Sequence, residues 1–234
     1  MNGLKTAGNF IRHWIFGHRA PQLFLNGLRS EIRTRLNKNP SPVISEIKEE
    51  ARKIQSFDEK LIEDAPSRGH LELTSHIVAA YRVLLPEVGV EKPTIQLLEH
   101  AMMEGIDTMS MRFSLKSMLS SSRNNPDRLY NIFRWLMKQY GTTFKWTAPH
   151  KHREERSGFS IEIQHCFYHS FFTAHNAPFL TPILCQLDSI WFNMIDPQKH
   201  GFSFDKSRYR SQGYGAPTCI FPVVEAVKKK QKKD

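Results

Sequence analysis

Hydrophobic residues spaced three and four positions apart predict helices through the first 140 residues. The predicted helices cover residues 10–16, 20–36, 43–54, 71–85, 94–119 and 126–140. Pro86 and Gly89 are expected to stop the fourth helix, and Gly141 to cap the last. The longest helix, residues 94–119, would bury a face made of Ile95, Leu98, Met102, Ile106, Met109 and Phe113.

After Gly141 the pattern changes to alternating polar and apolar residues, which indicates strands. Residues 142–147 and 159–163 predict a hairpin joined by a charged turn, residues 150–156. Two apolar helices follow at 166–175 and 180–195, and further strands at 202–204 and 219–224. The order β-β-α-α-β-β behind a helical N-terminal half predicts an α+β fold, with a four-stranded antiparallel sheet covered by helices.

The composition is that of a folded protein: 40% of the 234 residues are hydrophobic and 24% are charged. We expect a helical extension over residues 1–65, an α+β domain over 66–224 and a basic, disordered tail over 225–234. Apolar runs of about 20 residues, the length that spans a membrane, do not occur, so no transmembrane segment is expected.

Basic residues exceed acidic ones by ten, and five lysines lie close together at the C-terminus. The tail contains Lys228, Lys229, Lys230, Lys232 and Lys233, and a weak contact with an anionic partner is the alternative to a merely solvated end. Because the rest of the chain is only mildly basic, specific binding of nucleic acid is not expected. Acidic residues are absent before Glu31, so an organelle transit peptide within residues 1–30, hence a matrix location, is the alternative to a cytoplasmic protein.

The candidate chemistry centres on Cys166, Cys185 and Cys219, an odd number that does not suggest a disulfide framework. Cys166 and His169 are three residues apart, and Cys185 and Asp188 repeat that spacing on the next predicted helix. Each pair therefore shares a helix face, and the two helices could direct both pairs into one pocket. A thiol beside an imidazole is a covalent nucleophile pair, and a buried carboxyl can act as an acid or base.

Structural roles are the alternative for each of these residues, since cysteine is often a small buried hydrophobe and Asp188 could be a surface or capping residue. A tetrahedral zinc site made of Cys166, His169, Cys185 and Cys219 is a second alternative. Because their spacing matches no compact zinc motif, we expect no bound metal. Other polar residues between residues 164 and 221 complete the candidate set: His165, His175, Arg208, Arg210 and Gly213.

Five segments of the C-terminal half resemble the L-2-amino-thiazoline-4-carboxylic acid hydrolase family. The segments are Cys166-Phe-Tyr-His169, Asn176-Ala-Pro178-Phe-Leu180, Cys185-Gln-Leu-Asp188, Gly201-Phe-Ser-Phe204, and Gly213 followed by Cys219-Ile-Phe221. The resemblance extends over roughly residues 70–224. It implies hydrolysis of a small thiazoline ring, by addition of water to the carbon between the ring nitrogen and sulfur, without an organic cofactor.

The resemblance also implies roles for the candidate residues. Cys185 or Cys166 would be the nucleophile, Asp188 a base or orienting group, and His169 a proton carrier, with Cys219 in the same catalytic set. Arg208 or Arg210 would hold the substrate carboxylate, together with His165 and Gly213 on the substrate side. The alternative is a non-catalytic small-molecule-binding domain with an apolar pocket, similar to vinyl-reductase-type domains.

Overall fold

The structure is a computed structural model, and it describes residues 19–107, 109–122, 125–139, 141–152 and 158–226. The helix predicted at residues 10–16 and the lysines of the basic tail lie outside the described residues. Most of the predicted charged turn, residues 153–157, lies outside them as well.

Six helices fill the described part of the N-terminal half: α1 (Arg19–Arg35), α2 (Pro40–Phe57), α3 (Ala65–Val88), α4 (Glu91–Ile106), α5 (Met109–Ser121) and α6 (Pro126–Gln139). The side chain of Asn39 caps α2 by accepting the Ser41 N–H at 3.1 Å. Helix α3 begins with a reciprocal capping pair of Asp64 and Ser67, and it ends at Gly89, whose φ of 77° gives the left-handed turn.

The single helix predicted over residues 94–119 is wrong, because α4 ends at Ile106 and α5 begins at Met109. Asp107 leaves the helical conformation with ψ near 60°, and its carboxylate accepts a 2.7 Å hydrogen bond from the guanidinium of Arg112. Phe113 was expected to face the core but is 75% exposed. The break ends the apolar stripe of α4, so that Phe113, at the same spacing beyond Asp107, no longer faces the interior.

Helices α1 and α4 pack with their backbones in close contact. A Cβ placed on Gly27 would lie 2.0 Å from the carbonyl oxygen of Ala101, and one on Gly105 would lie 2.2 Å from that of Leu23. Buried residues of α1, α2 and α3 belong to the same hydrophobic core as those of the C-terminal half. The helices before residue 65 therefore contribute to the core that supports the sheet.

The sheet has four antiparallel strands in the spatial order β1-β2-β4-β3. The strands are β1 (Lys145–His152), β2 (Gly158–His165), β3 (Phe202–Phe204) and β4 (Cys219–Glu225). Helices α7 (Phe167–Ala174), α8 (Thr181–Asn193) and the single turn α9 (Pro197–His200) connect β2 to β3. The α+β fold is confirmed, and α9 is an element that the sequence pattern did not predict.

Within the described ranges, every helix is too short or too polar to serve as a membrane span.

Candidate active site

The three cysteines come together where β2 and β4 end beside helix α8. Ile163 of β2 pairs with Cys219 of β4, and Cys166 follows three residues later at the start of α7. The thiol of Cys166 donates a hydrogen bond to Cys219 Sγ. Cys185, from the second turn of α8, approaches the same point, and all three cysteines are free thiols. The sequence-predicted cysteines therefore form one cluster.

Ser211 connects Cys185 to Cys219. Its Oγ lies 3.1 Å from Cys185 Sγ and 3.9 Å from Cys219 Sγ, and it accepts a 3.1 Å hydrogen bond from the backbone N–H of Gly213. The serine is 2% exposed, so it makes these contacts away from bulk water. A single hydroxyl thus contacts both the half-buried Cys185 and the buried Cys219.

Gln212 holds the loop that carries Ser211 against the rest of the site. Its side-chain oxygen accepts the Cys166 N–H at 3.1 Å, and its side-chain nitrogen donates to the carbonyls of Gln164 and Pro217 at 3.1 and 2.8 Å. Its own backbone N–H donates to Cys219 Sγ at 3.3 Å. One residue therefore fixes the relative positions of β2, α7 and the start of β4.

The pKa values of Cys166 and Cys219 shift in opposite directions. The Cys166 thiol and the Gln212 N–H both donate to Cys219 Sγ, which stabilises a negative charge there and lowers the pKa of Cys219 to about 7. The hydrogen bond to Cys219, together with burial, raises the pKa of Cys166 well above its ordinary value. Near neutral pH, Cys219 is the thiolate of the pair and Cys166 is the thiol.

Asp188 and Cys185 keep their protons at neutral pH. Burial raises the pKa of Asp188 to about 8, and the negative charge of Cys219 adds to the shift. Burial, followed by the charge of Asp188, raises the pKa of Cys185 to about 12. The site thus combines a carboxylic acid with a thiolate, two groups that ordinarily carry the opposite protonation states at pH 7.

His169 lies at the edge of this cluster. Its ring Nδ1 lies 3.2 Å from Thr181 Oγ1 at the start of α8. The imidazole is therefore oriented by Thr181, which is 1% exposed, rather than by a cysteine. A role for His169 in proton transfer stays a prediction.

Of the residues predicted to bind the substrate, only some lie at the cysteine cluster. Gly213 contacts Cys185, whereas His165 lies 3.4 Å from Ser170 Oγ at the end of β2. Arg208 is exposed. Arg210 is exposed as well, and its guanidinium donates to the carbonyls of Ser207 and Tyr209, 2.9 and 2.7 Å away. The structure places neither arginine against the cysteines, and their binding of a substrate carboxylate stays a prediction.

His175, the remaining candidate, belongs to a separate hydrogen-bonded network. Its Nε2 lies 2.8 Å from the carboxylate of Asp58, and its Nδ1 lies 3.5 Å from a guanidinium nitrogen of Arg82. Arg82 in turn forms an ion pair with Glu50 at 3.0 Å. This network joins α7 to α2 and α3, and it explains His175 as a packing contact between helices.

Sequence reasoning missed Ser211, Gln212 and Thr181 in the site. It also missed two tyrosines, Tyr209 and Tyr214, whose pKa values are raised by burial and by the negative charges of Asp188 and Cys185. A usable signal was present for Ser211, because serine directly before a glycine-containing turn is a common cap of a short helix. The side chain of Ser211 does cap the turn Gln212–Tyr214.

Groups of three or more His, Cys, Asp or Glu side chains arranged to hold a metal ion are absent from the described part of the chain. In the zinc alternative, Cys166, Cys185, Cys219 and His169 would share one ion. In the structure Cys166 hydrogen-bonds Cys219, Cys185 contacts Ser211, and the His169 ring contacts Thr181.

Gly213 allows the loop to lie directly against Cys185. A Cβ at this position would lie 2.7 Å from Cys185 Sγ and 3.1 Å from Thr181 Cγ2. Gly213→Ala should gain about 0.4–1 kcal/mol from a less flexible unfolded chain. It should lose about 1–3 kcal/mol by overpacking, so we expect a net fall in the free energy of unfolding, measured by urea denaturation.

The control for this prediction is the same substitution in a Cys185→Ala background. Removing the sulfur removes the closest of the contacts, so Gly213→Ala should cost less there. An equal cost in both backgrounds would show that the contact with Cys185 does not constrain the loop.

Comparison with known proteins identifies one family. The sequence model of the L-2-amino-thiazoline-4-carboxylic acid hydrolase family matches residues 71–223, which include every cysteine of the cluster and Asp188. The curated proteins and the solved structures contain no match to the chain.

Proposed function

Since the chain belongs to the L-2-amino-thiazoline-4-carboxylic acid hydrolase family, we propose that it hydrolyses L-2-amino-thiazoline-4-carboxylate or a closely related small heterocycle. The observation that supports this activity most strongly is the pairing of groups in one site. Near neutral pH, Cys219 can accept a proton and Asp188 can donate one. Hydrolysis of a cyclic amidine needs both at once.

The proposed reaction opens the ring at the carbon between nitrogen and sulfur. The oxygen of water forms a bond to this carbon, and the proton lost from water is accepted by the Cys219 thiolate. Asp188 donates its proton to the ring nitrogen as the C=N double bond becomes single. Collapse of the adduct breaks the C–S bond, and the ring sulfur leaves with a proton, so that thiazoline plus water gives carbamoyl-cysteine.

Solvent exposure supports placing this reaction at Cys185 and Asp188. Both side chains are half-buried, whereas Cys166 and Cys219 are 7% and 4% exposed. A substrate can therefore reach the α8 side of the cluster, and the buried thiolate behind it exchanges protons without being consumed. Tyr214, which is exposed and follows Gly213, lies beside the same opening.

The experiment incubates the full-length protein with L-2-amino-thiazoline-4-carboxylate and measures carbamoyl-cysteine by mass spectrometry. We expect product above the rate without enzyme, and its loss in Asp188→Asn. Asp127→Asn, which changes an exposed carboxylate on α6, is the matched control and should retain activity. Saturable binding of the thiazoline without product would contradict the proposal and favour the non-catalytic binding domain.

A further inference from the structure

The accessible thiol and the reactive thiolate of the cluster are different residues. Cys185 is partly exposed, but burial keeps it protonated near neutral pH. Cys219 is a thiolate near neutral pH, but it is 4% exposed and lies behind Ser211. A thiol whose own pKa is high still attacks at neutral pH if a neighbouring base accepts its proton during the attack.

We propose that Cys185 attacks the substrate carbon covalently, and that Ser211 carries the Cys185 proton to Cys219. This inference rests on the proposed hydrolysis but changes its first step: Cys185 attacks the ring carbon in place of water, and water enters afterwards to release the product. Ser211 does not touch the substrate in this step. It acts through Cys185, as a residue that positions the thiol and carries its proton.

The contacts of Ser211 fit a relay. Its Oγ lies 3.1 Å from Cys185 Sγ, where either atom can donate, and accepts from the Cys219 thiol at 3.9 Å. When Cys219 is a thiolate, the Ser211 hydroxyl can instead donate to it and accept the Cys185 S–H. The Gly213 N–H, which donates to the same oxygen at 3.1 Å, fixes its position. The Gln212 N–H and the Cys166 thiol hold Cys219 from its other side. The longer distance, to Cys219, is the one that must shorten as the proton moves.

The atoms of the covalent step balance without an added reagent. Cys185 Sγ bonds to the ring carbon, its proton passes to Ser211, and the Ser211 proton passes to Cys219. The Asp188 proton goes to the ring nitrogen. The C–S bond of the ring then breaks, and the leaving sulfur takes the proton from Cys219. This leaves an isothiourea on Cys185, which water hydrolyses to carbamoyl-cysteine while Cys185 leaves and regains a proton.

A purely structural role for Ser211 predicts different behaviour. Its side chain caps the turn Gln212–Tyr214, so Ser211→Ala costs about 1 kcal/mol of stability in either case. A cap alone leaves the pH dependence of Cys185 reactivity unchanged. A relay links that reactivity to the titration of Cys219.

The test uses 2-chloroacetamidine, an amidine electrophile that alkylates thiols with loss of chloride and needs no turnover. The rate of labelling of each cysteine is measured by peptide mass spectrometry across pH, in the folded full-length protein. We expect the label on Cys185, with a rate that rises through a midpoint of about 7, the pKa of Cys219. Ser211→Ala should slow Cys185 labelling at neutral pH at least about tenfold and abolish that midpoint, whereas Ser211→Thr should retain it.

If Ser211→Ala does not fold, Cys219→Ser tests the proton relay in its place. The serine hydroxyl at position 219 can keep the hydrogen bonds but is not ionised at neutral pH. The rate of Cys185 labelling should therefore again fall at least about tenfold. Unchanged labelling of Cys185 in a folded Ser211→Ala or Cys219→Ser protein would overturn the relay, and so would a label on Cys219 in the wild type.

The natural substrate separates this inference from the proposed function. Accumulation of a Cys185 adduct with the mass of the whole thiazoline supports the covalent step. Product formation without such an adduct in rapidly quenched samples, and with wild-type rates in Cys185→Ser, would overturn the inference and leave the hydrolase standing. Relay-dependent labelling without any thiazoline hydrolysis would reject the proposed function alone.

Discussion

Asp188→Asn should lower kcat/KM for the thiazoline by about a hundredfold or more, the usual effect of removing a positioned proton donor. The substitution keeps the size of the side chain and removes the proton that the ring nitrogen needs. Because burial raises the pKa of Asp188 to about 8, the wild-type carboxyl is the acid form at pH 7. The measurement is steady-state kinetics of carbamoyl-cysteine formation.

The same variant should change how stability depends on pH. The folded-state pKa of Asp188 lies above the ordinary carboxyl value of 3.8, so the folded state binds the proton more tightly than the unfolded chain. Its contribution to stability is complete below the ordinary value and is lost as pH rises toward about 8. The melting temperature of the wild type should therefore fall more steeply across this window than that of Asp188→Asn.

The control is again Asp127→Asn, at an exposed carboxylate of α6, which should leave the rate unchanged. A folded Asp188→Asn protein with wild-type kcat/KM would remove Asp188 from the mechanism. Parallel melting curves for the wild type and Asp188→Asn would show that the carboxyl is not held in its neutral form.

Gln212→Ala is expected to have the largest effect on the structure of the site. The substitution removes the acceptor of the Cys166 N–H and the donor to the carbonyls of Gln164 and Pro217. Net hydrogen bonds contribute about 1 kcal/mol each, and of the three groups only the Cys166 N–H is part-buried, so we expect a loss of about 1–3 kcal/mol. Urea denaturation measures the free energy of unfolding directly.

Activity should fall in Gln212→Ala as well. Alanine keeps the backbone N–H that helps to hold Cys219 as a thiolate, but without the side-chain hydrogen bonds the loop no longer fixes that N–H against Cys219. Gln212→Glu keeps an acceptor for the Cys166 N–H but directs an oxygen at two carbonyls, so it should not restore stability. Gln198→Ala, at an exposed glutamine of α9, is the matched control. Equal effects at Gln198 and Gln212 would mean that Gln212 does not hold the loop in place.

The elements of the fold were predictable where the local spacing of hydrophobic residues determines them. The change from helical to alternating spacing after Gly141 marked the start of the sheet, and the strands at Phe202 and Cys219 were found at nearly their observed positions. The break at Asp107 was missed because the apolar spacing continues past it toward Phe113. At the break, Asp107 pairs with Arg112, a contact that hydrophobic spacing does not report.

The candidate site was predictable from spacing within helices but not across loops. Cys185 and Asp188 share a face of α8, as the three-residue spacing indicated. Ser211 and Gln212 join them because Arg210 and Ile220 exchange backbone hydrogen bonds of 3.1 and 2.8 Å, which folds the loop back beside Cys219. That pairing is a tertiary contact, and no local sequence pattern encodes it.

The most direct test of the account is the pH dependence of kcat/KM for L-2-amino-thiazoline-4-carboxylate. Activity requires the Cys219 thiolate, whose pKa is about 7, and the Asp188 acid, whose pKa is about 8. This mechanism predicts a narrow bell-shaped pH profile, in which kcat/KM rises through the pKa of Cys219 and falls through the pKa of Asp188. A rate that keeps rising above both values, or that is flat across them, would contradict the assignment of Cys219 as base and Asp188 as acid.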